Sequence, residues 1–340
     1  MHPDSAPYPA GVRAGGTVLS LLAGPLCGPI LSAHLGGPLR LPDLREQIGG
    51  AAQTTLRGQV GNLRAIGALE RHVRSGMPYT VENELTDVGR AILSVAEVVE
   101  AWLARAPHGP ITFGSELAKG AIRSLVGGWS STVLRVLAAR PLSLTELSDA
   151  IPEISYPSLE RRLSAMRASR QIEVLKETGK ARPYAVTDWT RQAVGPLVAA
   201  SRCECRHISE GTDPLTEIDI EAAFLLAVPL AVLPMGSTGS CQLVVDIGED
   251  EEREEPEESE EREEPIRQAA GVNVDLQRGE VTTCVSKLEQ DPSTWAVGPV
   301  EAWAEAIADG RFDNLRVGGR DEDLARGLIE SLHRSLSMPG

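Results

Sequence analysis

Residues 140–163 read Arg140-Pro-Leu-Ser-Leu-Thr-Glu-Leu-Ser-Asp-Ala-Ile-Pro-Glu-Ile-Ser-Tyr-Pro-Ser-Leu-Glu-Arg-Arg-Leu163. Leu144, Leu147 and Ile151 recur at intervals of three and four, which gives a short helix one buried face. Ser143 and Glu146 have the spacing of a capping box at its start. After a short turn, Leu159, Leu163 and Met166 recur at four and three, predicting another helix. Ser155 is placed to cap it, and Pro157 suits its first turn. Downstream, Ile172–Leu175 and Pro183–Val186 read as hairpin arms with Thr178-Gly179-Lys180 at the tip. An apolar helix over 116–139 precedes this group, and a long helix, Asp188–Cys203, follows it.

The same pattern occurs earlier in the chain. With an offset of 103 and no gap, Pro38-Leu39 aligns with Pro141-Leu142, and Leu41, Leu44 and Ile48 align with Leu144, Leu147 and Ile151. Leu56, Val60 and Leu63 align with Leu159, Leu163 and Met166, and Leu69-Glu70 with Ile172-Glu173. Thr86-Asp87 then aligns with Thr187-Asp188 at an offset of 101, so the second copy is two residues shorter in between. Copy one accordingly has a first apolar helix over 18–35 and a last helix over Asp87–Ala104. An internal match of this length indicates two versions of one unit.

Two short helices, a turn, a third helix and a hairpin make a winged helix-turn-helix. The third helix would enter the major groove of DNA and the hairpin would lie on phosphates. The plain alternative is a helical bundle with an incidental hairpin. Against it stands the basic outer side of the third helix in copy two, with Arg161, Arg162, Arg167 and Arg170. Candidate base-facing residues are Gln53, Thr54, Thr55 and Arg57 in copy one and Tyr156, Ser158, Arg161 and Arg162 in copy two. Arginine can pair bidentately with guanine, and glutamine with adenine. Arg71, Arg74, Lys180 and Arg182 lie on the wings and suit phosphates.

The run 140–163 resembles bacterial HxlR-type winged-helix regulators. So does Gly37-Pro-Leu-Arg-Leu-Pro-Asp-Leu-Arg-Glu-Gln-Ile48, and Glu84-Leu-Thr-Asp-Val-Gly-Arg-Ala-Ile-Leu93 fits the start of that family's last helix. The resemblance covers residues 15–205 as two tandem copies. It implies operator DNA as a partner and dimerisation through the terminal helices. Departures are visible. The family often has a Lys-Trp pair in its first helix; copy two keeps only Trp129, and copy one has Leu26 there, followed by Cys27. The third helix of copy one contains Gly58 and Gly61, each costing about 1 kcal/mol relative to alanine, and its basic residues are Arg57 and Arg64 alone. Copy two is therefore expected to supply most of the attraction to phosphates.

After Glu210 the pattern changes. Ile220–Leu233 and Cys241–Ile247 are apolar and strand-like. Val272, Val274 and Leu276 alternate, Arg278-Gly279-Glu280 turns the chain, and Val281, Thr283 and Val285 alternate again, predicting a hairpin. Val300, Trp303 and Ile307 mark a helix stopped at Asp309-Gly310, and Leu324, Leu328, Leu332 and Leu336 mark a last one. Asp291-Pro-Ser-Thr-Trp-Ala-Val-Gly298, Ala302-Trp-Ala-Glu-Ala-Ile-Ala-Asp-Gly310 and Leu315-Arg-Val-Gly-Gly-Arg-Asp-Glu-Asp-Leu-Ala325 resemble the sterol-carrier-protein-like domain. That resemblance implies an apolar tunnel for a hydrophobic small molecule. Phe224, Trp295, Trp303 and Phe312 are the candidates for lining it, with ordinary core packing as the alternative for each. The expected fold class is mainly α with α+β. Its parts are a winged helix-turn-helix at 1–106, another at 107–210, and an α+β sterol-carrier-like domain at 211–340 with an acidic disordered loop at 249–265.

The net charge of −15 over 340 residues does not exclude DNA, because it is unevenly spread. Residues 1–106 are neutral, residues 107–210 carry a net +4 and residues 211–340 a net −19. The run Glu249–Glu264 alone holds 12 acids and 2 arginines, the pattern of a solvated loop or of an internal decoy for the basic helices. Five scattered cysteines do not form a disulfide framework, so the reducing cytoplasm is expected. Cys203, Cys205 and His207 lack the second ligand pair of a structural zinc site. Glycine and proline interrupt the apolar stretch Val18–Leu35, which reads as folded protein rather than a signal peptide or membrane span. No nucleotide-binding loop, nucleophile elbow or metalloprotease motif is present, so neither a cofactor nor enzymatic activity is expected. The functional expectation is a DNA-binding transcriptional regulator whose operator binding responds to a hydrophobic small molecule. It acts as a single-chain pseudo-dimer or as a homodimer through the helices that end the winged domains. The alternative is a hydrophobic-ligand-binding or protein-interaction module without specific DNA binding.

Overall fold

The computed structural model describes residues 15–74, 79–126, 128–175, 182–208, 215–246 and 270–336. The chain divides into two compact units, Met1–Pro214 and Leu215–Ser337, so the first two predicted segments share one unit.

The first unit begins with α1 (Gly16–Leu22) and α2 (Cys27–Ala33), followed by β1 (Leu39–Arg40) and α3 (Leu41–Gln47). The single helix expected over 18–35 is thus two helices. Gly24 and Pro25 lie in the break, where proline cannot continue a helical hydrogen-bond ladder. Next come α4 (Gln53–Ala65), β2 (Leu69–Arg74), β3 (Thr80–Leu85) and α5 (Asp87–Ala104). The strands form an antiparallel sheet of order β1-β3-β2. The side chain of Thr86 starts α5 by accepting from the Gly89 amide at 3.1 Å.

The following residues take the same order. They form α6 (Glu116–Val126), α7 (Gly128–Ala139), α8 (Leu144–Ala150), α9 (Tyr156–Ala168), β4 (Ile172–Val174), β5 (Tyr184–Val186), α10 (Asp188–Arg191) and α11 (Val194–His207). Here too the expected helix over 116–139 is two helices, and the helix expected over 188–203 is broken near Gln192–Ala193. Pro196 accounts for the second break, since its ring would clash with the carbonyl of Gln192 in a continuous helix. Ser143 and Glu146 form the capping box expected of them. Ser155 occupies the N-cap position of α9, but its hydroxyl bonds to Ser158 Oγ at 2.9 Å rather than to a backbone amide.

Local geometry recurs along with element order. Leu39 pairs with Asn83 across β1 and β3, and 103 and 101 residues later an isolated bridge joins Leu142 to Tyr184. The Thr86 amide donates to Ala68 O, and the Thr187 amide to Gln171 O. The Thr86 hydroxyl donates to Gly67 O and the Thr187 hydroxyl to Arg170 O. Gly67 and Arg170 both lie in the left-handed region, at φ 75° and 66°. That conformation suits glycine and strains a residue with a Cβ.

The helices that end each half, α5 and α11, pack together, and α1 packs on both α6 and α11. Between the halves Trp102 and Trp189 stack with ring centroids 4.5 Å apart. Each indole donates to the other's backbone carbonyl at 2.8 Å. The buried Glu204 carboxylate on α11 accepts from the amides of Gly15 and Val18 at 2.8 and 2.6 Å, closing the first turn of α1.

The second unit contains α12 (Glu217–Ala227), β6 (Gly239–Val245), β7 (Ala270–Gln277), β8 (Glu280–Val285), β9 (Thr294–Gly298), α13 (Val300–Asp309), β10 (Arg316–Gly319) and α14 (Glu322–Leu336). The sheet order is β10-β9-β6-β7-β8, with β6 and β9 parallel and the other pairs antiparallel. The hairpin at 272–285 and the helices ending at Asp309 and Leu336 occur where the sequence places them. Ile220–Leu233, however, is not strand-like: it is largely α12, started by a capping box of Thr216 and Asp219. Its apolar residues surround the helix and so carry no helical period. The acidic run at 249–265 lies outside the described residues. No single helix among the described residues is long and apolar enough to cross a membrane, although α1 and α2 qualify jointly as a pair bent by 85°.

Candidate nucleic-acid interface

Helix α4 seats Leu56, Val60 and Leu63 in the core and leaves Gln53, Thr54, Thr55, Arg57, Gly58, Gly61 and Arg64 exposed. All four candidates of copy one therefore share an accessible surface at the start of one helix. Nothing lies within 4 Å of where a Cβ would stand on Gly58 or Gly61, so no neighbouring atom requires glycine there. The outer face of α4 therefore lacks side chains at these two positions.

Helix α9 buries Leu159, Leu163 and Met166 in the same way. Tyr156, 48% exposed, and Arg161 lie outside, as does Arg167. Ser158 is half-buried and engaged with Ser155. Arg162 departs from expectation. It lies at the edge of the buried arc, beside Met166, and its guanidinium is half-buried and donates to Ser130 Oγ on α7 at 2.8 Å. Its Nε is buried without a partner. Arg170 is also removed from the basic face. It follows α9, and its guanidinium donates to the carbonyls of Pro107 and Gly109. Arg161 and Arg167 remain as the exposed cations of α9.

The copy-one wing carries compensated charge. Arg74 pairs with Glu82 at 2.7 Å, which weakens its claim as a phosphate ligand, and His72 lies 3.2 Å from Glu84. Arg71 is exposed on β2. Arg182 is exposed at the start of the second arm of the other hairpin, whereas Lys180 lies outside the described residues. Two apolar wing residues are missing from the sequence-based set, Val73 and Tyr79, the latter 75% exposed.

The remaining candidates occupy the second unit. Phe224 and Trp303 are fully buried and meet edge to face at 4.7 Å, and the Trp303 indole donates to Val244 O at 2.8 Å. Trp295 and Phe312 are half-buried, with Trp295 lying against Gly318. Burial raises the thiol pKa of Cys27 and Cys241 to about 12 and of Cys203 to about 11, so these three are protonated at neutral pH and poorly nucleophilic. Cys203 lies inside a helix that continues to His207, with Cys205 exposed. No group of three His, Cys, Asp or Glu side chains suited to a metal ion occurs among the described residues.

The HxlR-like helix-turn-helix family model matches residues 27–108. Among solved structures, the crystal structure of diamide-treated YodB from B. subtilis is similar at 29% identity, with a TM-score of 0.24, covering 25% of this chain and 85% of that one. No curated protein matches the chain. Residues 27–108 are thus an HxlR-like helix-turn-helix domain, in which α3 and α4 form the two helices of the motif and β2–β3 the wing.

Proposed function

We propose that the chain is a cytoplasmic DNA-binding transcriptional regulator with two winged helix-turn-helix domains that act as a pseudo-dimer. The observation that carries this reading is the HxlR-like match over 27–108, joined to the recurrence of the same strand bridge and hydrogen bonds in 116–207. A family of non-enzymatic regulators agrees with the lack of catalytic motifs in the sequence. Helices α4 and α9 then serve as the two recognition helices. With both in use, the chain covers two half-sites one helical turn apart, about 34 Å. Pairing of α5 with α11 already supplies within one chain the contact through which separate HxlR-type chains would dimerise.

The test is an electrophoretic mobility assay on the promoter of the chain's own gene, with excess competitor DNA. Retention of a specific complex with a footprint of two adjacent half-sites supports the reading. Binding that is blind to sequence and lost with salt would support the alternative of a module without operator function. A footprint twice as long would mean that chains also dimerise on DNA.

In the same reading, the second unit is a sensor for a hydrophobic small molecule. Its support is the sterol-carrier-like sequence pattern of 291–325. Phe224 and Trp303 would reach a ligand only if α12 and α13 part, whereas half-buried Trp295 and Phe312 are nearer the surface. Mass spectrometry of molecules that co-purify with the full chain tests this, and recovery of no hydrophobic compound counts against it.

A further inference from the structure

A cavity of about 630 Å³ lies between α2 and α5, with Thr112 and Phe113 at its side. Small-molecule sites span roughly 300–1,000 Å³. The Phe113 ring sits directly on the backbone of Gly28, where a Cβ would stand only 2.7 Å from it. Glycine at that position therefore lets the ring form a wall. Pro29, Leu35 and Leu93 extend the apolar lining, and Leu35 is 65% exposed.

Three charged side chains border the cavity, and their situations differ. Arg90 is engaged by Asp87 and by the Leu85 carbonyl. Glu97 and Glu100 lie three residues apart and share one helix face. Neither makes an ion pair or hydrogen bond among the described residues. The corresponding positions of the second half, 101 residues later, are Val198 and Ser201, both buried. There α1 covers α11, and a Cβ on Gly15 would lie 2.9 Å from Ser201 Oγ. On α5 the same place is left as the cavity, and at these two positions the residues bordering it are acidic and exposed.

We propose that this cavity binds a hydrophobic organic cation, with Phe113, Leu93 and Pro29 holding its apolar body and Glu97 and Glu100 its charge. Aromatic faces and carboxylates both attract cations, and an anion of the same shape would be repelled. Helix α2 packs on α3 and α4 as well as on α5, so a ligand wedged there would bear on the placement of α4. If it prefers one placement, DNA affinity changes by the difference in its two binding energies. Only this consequence rests on the DNA-binding reading; ligand binding does not.

The probes are tetraphenylphosphonium and tetraphenylborate, which share a shape and carry opposite charge, titrated calorimetrically into the full chain at 0.15 M salt. The 12 acids of 249–264 attract any cation, so the decisive quantity is the change on substitution. Glu97→Gln with Glu100→Gln is expected to weaken phosphonium binding about tenfold. Tetraphenylborate is expected to bind at least about tenfold more weakly than the phosphonium. Leu93→Trp, which fills the cavity, should abolish binding at an unchanged circular-dichroism spectrum. Absence of phosphonium binding, equal affinity in the double glutamine variant, or equal affinity for the borate would overturn the proposal. So would a change in sedimenting mass of the double variant without a change in phosphonium affinity, which would make this face an interface between copies. Operator retention by the double glutamine variant is scored separately, so loss of this site and loss of the DNA reading give different results.

Discussion

The two halves of the first unit share a backbone plan and use different side chains on it. At corresponding positions Val88 faces Trp189, Leu103 faces Glu204, Gly67 faces Arg170 and His34 faces Leu137. The first three residues of the second half make long-range contacts: an indole stacked on Trp102, a carboxylate closing α1, and a guanidinium on the carbonyls of Pro107 and Gly109. Their counterparts in the first half make none of these bonds. Trp189 and Glu204 thus join the second half to the first, which contributes Trp102 to the stacked pair. The first half keeps an open face on α5 and a glycine-bearing α4. Divergence of this kind separates holding from reading, and exchanging residues between the halves tests it.

The largest effect is expected from Trp189→Val, which installs the first-half residue. It removes a stacked ring and the indole donor to the Trp102 carbonyl, while the residue 189 carbonyl that accepts from Trp102 remains; large-to-small changes of buried aromatic residues cost about 3–5 kcal/mol. Urea denaturation followed by circular dichroism should show a loss near about 4 kcal/mol. A loss below about 1 kcal/mol would mean that the halves do not depend on this contact.

Glu204→Leu is the next exchange. It leaves the Gly15 and Val18 amides without their buried acceptor, at an expected cost of about 2–3 kcal/mol. Burial raises the pKa of this carboxyl, opposed by the amides that donate to it. The folded chain therefore binds this proton more readily than the unfolded chain. Its contribution is fully present below the ordinary glutamate range and declines as pH rises through the folded value. Urea midpoints of the wild type and Glu204→Leu, compared from pH 4 upward, should consequently differ most at the acidic end.

These exchanges also mark what the sequence could reveal. Regular spacing exposed α3, α4, α8 and α9, because each buries one face at intervals of three and four. The 272–285 hairpin was equally visible through its alternation and its two-residue turn. The broken helices were written in Gly24-Pro25 and Pro196, but hydrophobic continuity obscured them. Helix α12 was hidden because apolar residues on every side abolish the period, although Thr216 and Asp219 announced its start. For the interface, composition could count arginines but could not say which way they point. Arg162 lies at the edge of the buried arc and turns toward Ser130, and Arg170 is drawn away by two carbonyls distant in sequence. Neither fact follows from the residues flanking them.

The difference between the reading helices gives the third exchange. Arg161→Ala with Arg167→Ala removes the exposed cations of α9, and Arg57→Ala with Arg64→Ala those of α4. Each contact to a phosphate or base is worth on the order of 1 kcal/mol or more, so the α9 pair should weaken operator binding by about 2 kcal/mol, roughly 30-fold. The α4 pair should cost less if the second half supplies most of the attraction, and the salt dependence should flatten more for the α9 pair. Equal losses in a fluorescence-anisotropy titration across salt would make the two halves equivalent readers.

The smallest effect, and one of opposite sign, belongs to His34→Leu, which gives the first half the residue found at position 137. His34 is buried, with Nδ1 2.7 Å from the Ile30 carbonyl and Nε2 without a partner. Burial lowers its pKa below the ordinary value of 6.5 despite the bond to Ile30. The unfolded chain therefore takes up this proton first as pH falls. Stability that is fully present above pH 6.5 declines below it, toward the lower folded value. Leucine cannot titrate and leaves no orphaned nitrogen, and Leu137 shows that the equivalent site accepts it fully buried. The substitution should be neutral or stabilising by up to about 1 kcal/mol at pH 7.5, with a gain that grows as pH falls to 5.5. Thermal melts at both pH values measure it, and a gain that shrinks on acidification would show that the buried imidazole is stabilised when charged, contrary to the environment seen around it.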